Sequence, residues 1–136
     1  MDHFASLSNF EPAPSEQQVG DALAFFESEL RQHQRLGTFP VDDLEMYCRV
    51  TNLKGLDWLM ILRLEVTLTG GDLVRKTGET PREFEPSTYG EAVVRILTEL
   101  IKVFNEKFPS HYSVFPFLYV LEDGRRHRFY SGATFD

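Results

Sequence analysis

Leu44-Glu45-Met46-Tyr47-Cys48-Arg49-Val50-Thr51 is the stretch whose reading decides the fold. Leu44, Met46, Cys48 and Val50 alternate with Glu45, Tyr47, Arg49 and Thr51. A period of two sends successive side chains to opposite faces, so this is a strand with one buried face. A second alternation follows Asn52-Leu53-Lys54-Gly55. Met60, Leu62, Leu64, Val66 and Leu68 point one way, and Arg63, Glu65, Thr67 and Thr69 the other. The two strands form an antiparallel hairpin. Their apolar faces coincide only if even-numbered residues oppose even-numbered ones, such as Val50 and Met60. A two-residue Lys54-Gly55 turn would pair Leu53 with Leu56 and break that phase. The sequence therefore predicts an odd-length loop or a bulge near the turn.

Upstream of this hairpin the period is 3.6. Ser15 with Gln18 makes a capping box, Val19, Leu23, Phe26 and Leu30 recur at helical spacing, and Gly37 suits a helix end. These signals predict a helix over about 16–36. Residues 1–14 contain Pro12 and Pro14 and read as an N-terminal arm, with 15–136 as one domain. Downstream, residues 70–86 are irregular, with space for a short extra strand around Leu73–Lys76. A second helix opens at Ser87 or Thr88, with Thr88 and Glu91 as a capping box, and stops before Pro109. Its stripe of Val93, Ile96, Leu97, Leu100, Ile101 and Phe104 is wide, as in a central helix.

A last hairpin turns at Asp123-Gly124. Pro116 in its first strand predicts an edge strand or a local bulge. The element order is thus αββ-αββ. The fold class is α+β, with a four-stranded antiparallel sheet, or five-stranded if the extra strand joins it, packed against two helices.

The chain has 136 residues, 42% of them apolar and twelve of them Phe, which is enough for a packed core without metal or disulfide. Net charge is −7, which disfavours an electrostatic binder of nucleic-acid backbones or anionic membranes. The mostly apolar run Leu56–Leu68 is too short and too charged for a membrane span. One cysteine, Cys48, cannot form an internal disulfide, and the start of the chain has no signal-peptide pattern. These features read as cytoplasmic. His3, His33, His111 and His127 have no spacing that seeds a metal site, Gly70-Gly71 lacks the residues of a phosphate loop, and Cys48 sits on an apolar face. No cofactor, no metal and no catalytic residue is expected, and the chain is read as a non-enzyme.

The last hairpin carries the candidate site. A two-residue turn sets Val120 against His127, Tyr119 against Arg128, Leu121 against Arg126, Leu118 against Phe129 and Phe117 against Tyr130. Phe117, Tyr119 and Tyr130 then share a face with Arg126 and Arg128, and Arg125 stands next to the turn. Interleaved aromatic and guanidinium groups serve as protein–protein hot spots, or stack on bases and pair with phosphates. Arg75, Lys76 and Arg82 make a secondary candidate in the long loop. The first reading is a protein-binding module: a small acidic regulator, inhibitor or chaperone-like subunit acting on a larger protein machine, such as a nucleic-acid enzyme. The alternative is a binder of a nucleotide, a nucleotide-like signal or single-stranded nucleic acid on the last hairpin. Long open-edged strands also allow a homodimer. Exposure of Phe117, Tyr119 and Tyr130 is the observation that separates a working surface from a core.

Overall fold

The computed structural model describes residues 14–39, 41–53, 56–76, 84–108 and 113–132. The N-terminal arm over 1–13 and Arg82 lie outside the described residues. Helix α1 spans Glu16–Leu36 and is followed by strands β1 (Asp43–Leu53) and β2 (Leu56–Thr69). Short strands β3 (Val74–Lys76) and β4 (Phe84–Pro86) precede helix α2 (Thr88–Lys107) and the final hairpin β5 (Val114–Glu122) and β6 (Arg125–Ser131).

The helix ends follow the local chemistry. Ser15 and Gln18 satisfy each other's backbone N–H groups, and Gly37 closes α1 in the left-handed conformation at φ 79°. At α2 the N-cap is Ser87, whose Oγ accepts from Gly90 N–H at 3.2 Å; Thr88 is already helical. Ser87 also ties the helix to the loop before it, its N–H bonding Leu73 O at 2.9 Å and its hydroxyl Asp72 O at 2.6 Å.

The first hairpin pairs even with even, as its apolar faces require: Leu44 with Leu68, Val50 with Leu62 and Asn52 with Met60. Leu53 does pair with Leu56, and the phase is restored by a register shift between Asn52 and Leu53. The expected irregularity is therefore present, in the β2 half of the hairpin, and Val50 meets Leu62 rather than Met60. The extra strand also forms, as β3 paired with β4 in a separate two-stranded sheet. At the last turn Asp123 and Gly124 both have positive φ, 54° and 73°, the backbone that suits a two-residue hairpin.

The main sheet has the order β1-β2-β5-β6 and is mixed, not wholly antiparallel. β2 and β5 run parallel, from Leu62 beside Val114 to Leu68 beside Val120. Parallel neighbours need a long crossover, and residues 70–113, which include α2, supply it. Joining the inner strands also makes β5 an interior strand, contrary to the edge that Pro116 predicts. Leu62 N–H bonds Ser113 O, which sets the odd-numbered N–H groups of β5 toward β2 and the even-numbered ones toward β6. The missing donor of Pro116 thus faces the end of β6, where the ladder stops at Ser131 and Gly132 N–H bonds Pro116 O at 2.7 Å.

Both helices pack on one face of this sheet. Ala22, Phe26 and Leu30 from α1 and Val93, Leu97, Leu100 and Phe104 from α2 meet Leu44, Leu62, Leu64, Val66, Leu68, Leu118 and Val120. The Phe26 and Phe104 rings lie 5.1 Å apart and tie the two helices together. Among the described residues, no helix is long and apolar enough to cross a membrane.

Gly90, in the first turn of α2, is buried, and a Cβ there would collide with Leu73 O. A backbone oxygen held by Ser87 cannot swing away. Gly90→Ala is expected to lower unfolding stability by about 1–3 kcal/mol despite the better helix propensity of alanine, as read by the urea midpoint.

Candidate functional site

The sheet face turned away from the helices carries the odd-numbered residues of β2: Ile61, Arg63, Glu65 and Thr67. The parallel register sets Arg63 beside Phe115, Glu65 beside Phe117 and Thr67 beside Tyr119. From the outer strands, Arg49 opposes Arg63, Tyr47 opposes Glu65 and Arg128 opposes Tyr119. Four strands thus deliver charged and aromatic groups to one patch.

Glu65 is its centre, with a side chain 7% exposed. Its Oε2 lies 2.9 Å from Arg49 Nε and 3.3 Å from Arg63 Nε, and its Oε1 lies 3.3 Å from Arg126 Nη1. The Arg63 Nε contact is within ion-pair range but off the line of a hydrogen bond. Arg63 Nη2 donates to the Tyr119 hydroxyl at 2.9 Å. The Arg63 guanidinium sits 3.7 Å above the Phe117 ring centre, and Arg126 sits 4.0 Å above that of Tyr119. Arg128 is 6.0 Å from the Phe117 ring centre. Each such cation–ring contact contributes roughly 0.5–2 kcal/mol, more as water is excluded.

The structure brings together most of the expected residues and moves one. Arg126, Arg128, Phe117 and Tyr119 share this face. Phe117 and Tyr119 are 1% and 7% exposed, and guanidinium groups cover ring faces that would otherwise be free to stack on a base. Tyr130 is on the other side. The ladder holds as expected from Glu122–Arg125 through Tyr119–Arg128, then shifts, so Leu118 meets Tyr130 and Phe117 meets Ser131. The bulge takes up Phe129 as an extra residue, and Tyr130 packs against the helix-covered core with Leu118 and Phe129. Arg125 opposes Glu122, out of phase with Arg126 and Arg128, and stands apart from the cluster. In the secondary candidate, Arg75 pairs with Glu85 at 3.3 Å across β3 and β4, and Lys76 is placed opposite Phe84.

Arg49 and Glu65 form an ion pair across β1 and β2, and Arg63 joins it from within β2. Their place beside the aromatics was not legible, because it depends on β2 lying next to β5. The one available signal was phase: charges at odd positions of β2 match aromatics at odd positions of β5.

Elsewhere, Gly70, Asp72, Leu73 and Val74 form a shallow cleft against Val120, Leu121 and Glu122. Among the described residues, no group of three His, Cys, Asp or Glu side chains could hold a metal ion. Cys48 lies on the core face of β1, and burial pushes its thiol up to about 12 from the usual 9.0. Such a thiol is protonated at neutral pH and is a poor nucleophile.

Two outcomes follow from this geometry. Glu65→Gln removes the charge that three guanidinium groups share, and is expected to cost about 3 kcal/mol in urea unfolding, whereas Arg49→Ala, at a mostly exposed position, should cost about 1 kcal/mol or less. For Cys48, the folded state holds the proton more tightly than the unfolded chain. Its contribution to stability is therefore constant below pH 9 and is lost as pH rises from 9 toward 12. The difference in unfolding free energy between wild type and Cys48→Ala should stay flat at neutral pH and change only in that alkaline window.

Compared with known proteins, the chain matches no family model, no curated protein and no solved structure.

Proposed function

We propose that this protein is a binding module that holds an acidic segment of a partner protein on the arginine-bearing face of its sheet, as a regulatory or chaperone-like subunit would. The observation that carries this reading is the set of guanidinium groups fixed around Glu65. Arg126 is stacked on Tyr119 and anchored to Glu65, yet its side chain stays 45% exposed; Arg49 is anchored to the same carboxylate and is 61% exposed. A guanidinium locked by a ring and a carboxylate loses little freedom when it takes a further carboxylate, and its planar fork suits that ligand.

The overall charge of −7 supports a short acidic segment over a long polyanion. A phosphate backbone approaching the patch meets the field of an acidic protein, whereas a short segment meets mainly the local arginines. Base stacking has less support, because the rings that would stack are buried beneath arginines. Catalysis by a cysteine nucleophile has less support still, since burial pushes the Cys48 thiol up. The single cysteine fits a reducing, cytoplasmic setting.

A fluorescent Glu/Asp-rich peptide tests the reading by anisotropy. Binding that weakens with salt, and weakens at least about tenfold in the Arg126→Ala/Arg128→Ala double variant, is the expected result. Equal affinity of wild type and double variant, or tighter binding of a nucleoside triphosphate than of the peptide, would overturn it.

A further inference from the structure

β1 is an outer strand, and among the described residues no strand pairs with its far edge. Leu44 reveals which backbone groups that edge presents. Its N–H is taken by Asp43 Oδ1 at 2.8 Å and its carbonyl by Arg31 Nη2 at 3.0 Å, so both turn away from β2. Backbone direction alternates along a strand, so Met46, Cys48 and Val50 present their N–H and C=O groups to the same edge. Side chains close the edge at Leu44. From Met46 to Val50 there is no proline or lysine to blunt it, and the register shift lies beyond, at Asn52.

We propose that this edge pairs antiparallel with the same edge of a second copy of the chain, with Tyr47 on the two-fold axis. Met46 of each copy then forms a hydrogen-bonded pair with Cys48 of the other. Tyr47 meets Tyr47, and Glu45 of each copy faces Arg49 of the other, giving two symmetric ion pairs. The charge pattern of the strand is self-complementary in this register. Sliding by two residues loses that match. One direction sets Arg49 against Tyr47, and the other sets it against Asp43, whose carboxylate already holds Leu44 N–H and lies 3.6 Å from Arg31. Tyr47 is 56% exposed, and Arg49 uses Nε on Glu65, which leaves its terminal nitrogens for the second copy.

A second feature points to the same occupant. Gly20, Leu23, Ala24, Glu27, Ser28 and Arg31 line a shallow, open groove along one face of α1. Arg31 also reaches Leu44 and Asp43, so this groove is on the side of α1 next to the open edge. Nothing lies within 4 Å of a Cβ built on Gly20. Joining two sheets edge to edge places both α1 helices on one face, with small residues where they approach across the axis.

Sedimentation velocity over a concentration series tests the pairing, with circular dichroism as a check of folding. Wild type is expected to be a reversible dimer. Met46→Pro removes an outward N–H and should give a folded monomer. Glu45→Arg places like charges opposite each other and should weaken the dimer about tenfold or more. Tyr47→Cys should give a disulfide-linked dimer on mild oxidation. A wild type that stays monomeric at high micromolar concentration would overturn the proposal. So would a dimer unaffected by Glu45→Arg, or one cross-linked through Cys48 rather than through the Tyr47→Cys thiol.

Discussion

The parallel ladder between β2 and β5 is the constraint on which the rest of the molecule depends. Each hairpin is antiparallel and closes locally, but neither can bury its apolar face alone. Pairing Leu62–Leu68 with Val114–Val120 joins them into one sheet, and the two helices then cover one continuous apolar surface. The same ladder fixes the opposite face. It places Glu65 beside Phe117 and Thr67 beside Tyr119, and so creates the patch in which three guanidinium groups meet one carboxylate.

That patch shows how a strand interior to a sheet can carry charge. Most side chains from Ile61 to Leu68 are buried, yet two of these positions are Arg63 and Glu65. A lone buried ion would be costly, and these are not alone. Glu65 is shared by arginines from three strands, while Arg63 adds a tyrosine hydroxyl and a phenylalanine ring. The aromatic rings serve as platforms for cations of the same chain, so arginines, not rings, are the groups this face exposes.

The bulge at Phe129 has a comparable effect on a smaller scale. One extra residue in β6 moves Tyr130 from the arginine face to the core and leaves Arg126 and Arg128 in phase with Tyr119. The hairpin thereby separates an aromatic group that packs against the core from the cations that shape the surface. Phase counting from the turn is reliable up to a bulge and fails beyond it, since the side-chain period is two and one added residue reverses every later face.

The sequence by itself determined the local structure. Caps at Ser15, Gly37 and Ser87, the alternation in β1 and β2 and the Asp123-Gly124 turn all act through residues a few positions apart. Their outcome needs no knowledge of the rest of the chain. It also determined that even-numbered residues of the first hairpin must face together, which required a bulge near Asn52. Only the tertiary structure decided which hairpin edges meet, that β2 and β5 run parallel, that Pro116 can lie inside a sheet, and that Arg63 and Glu65 lie against Phe117 and Tyr119. These contacts join residues some fifty positions apart. They are selected by burial of a shared core, to which many pairings with the same local pattern are equally open.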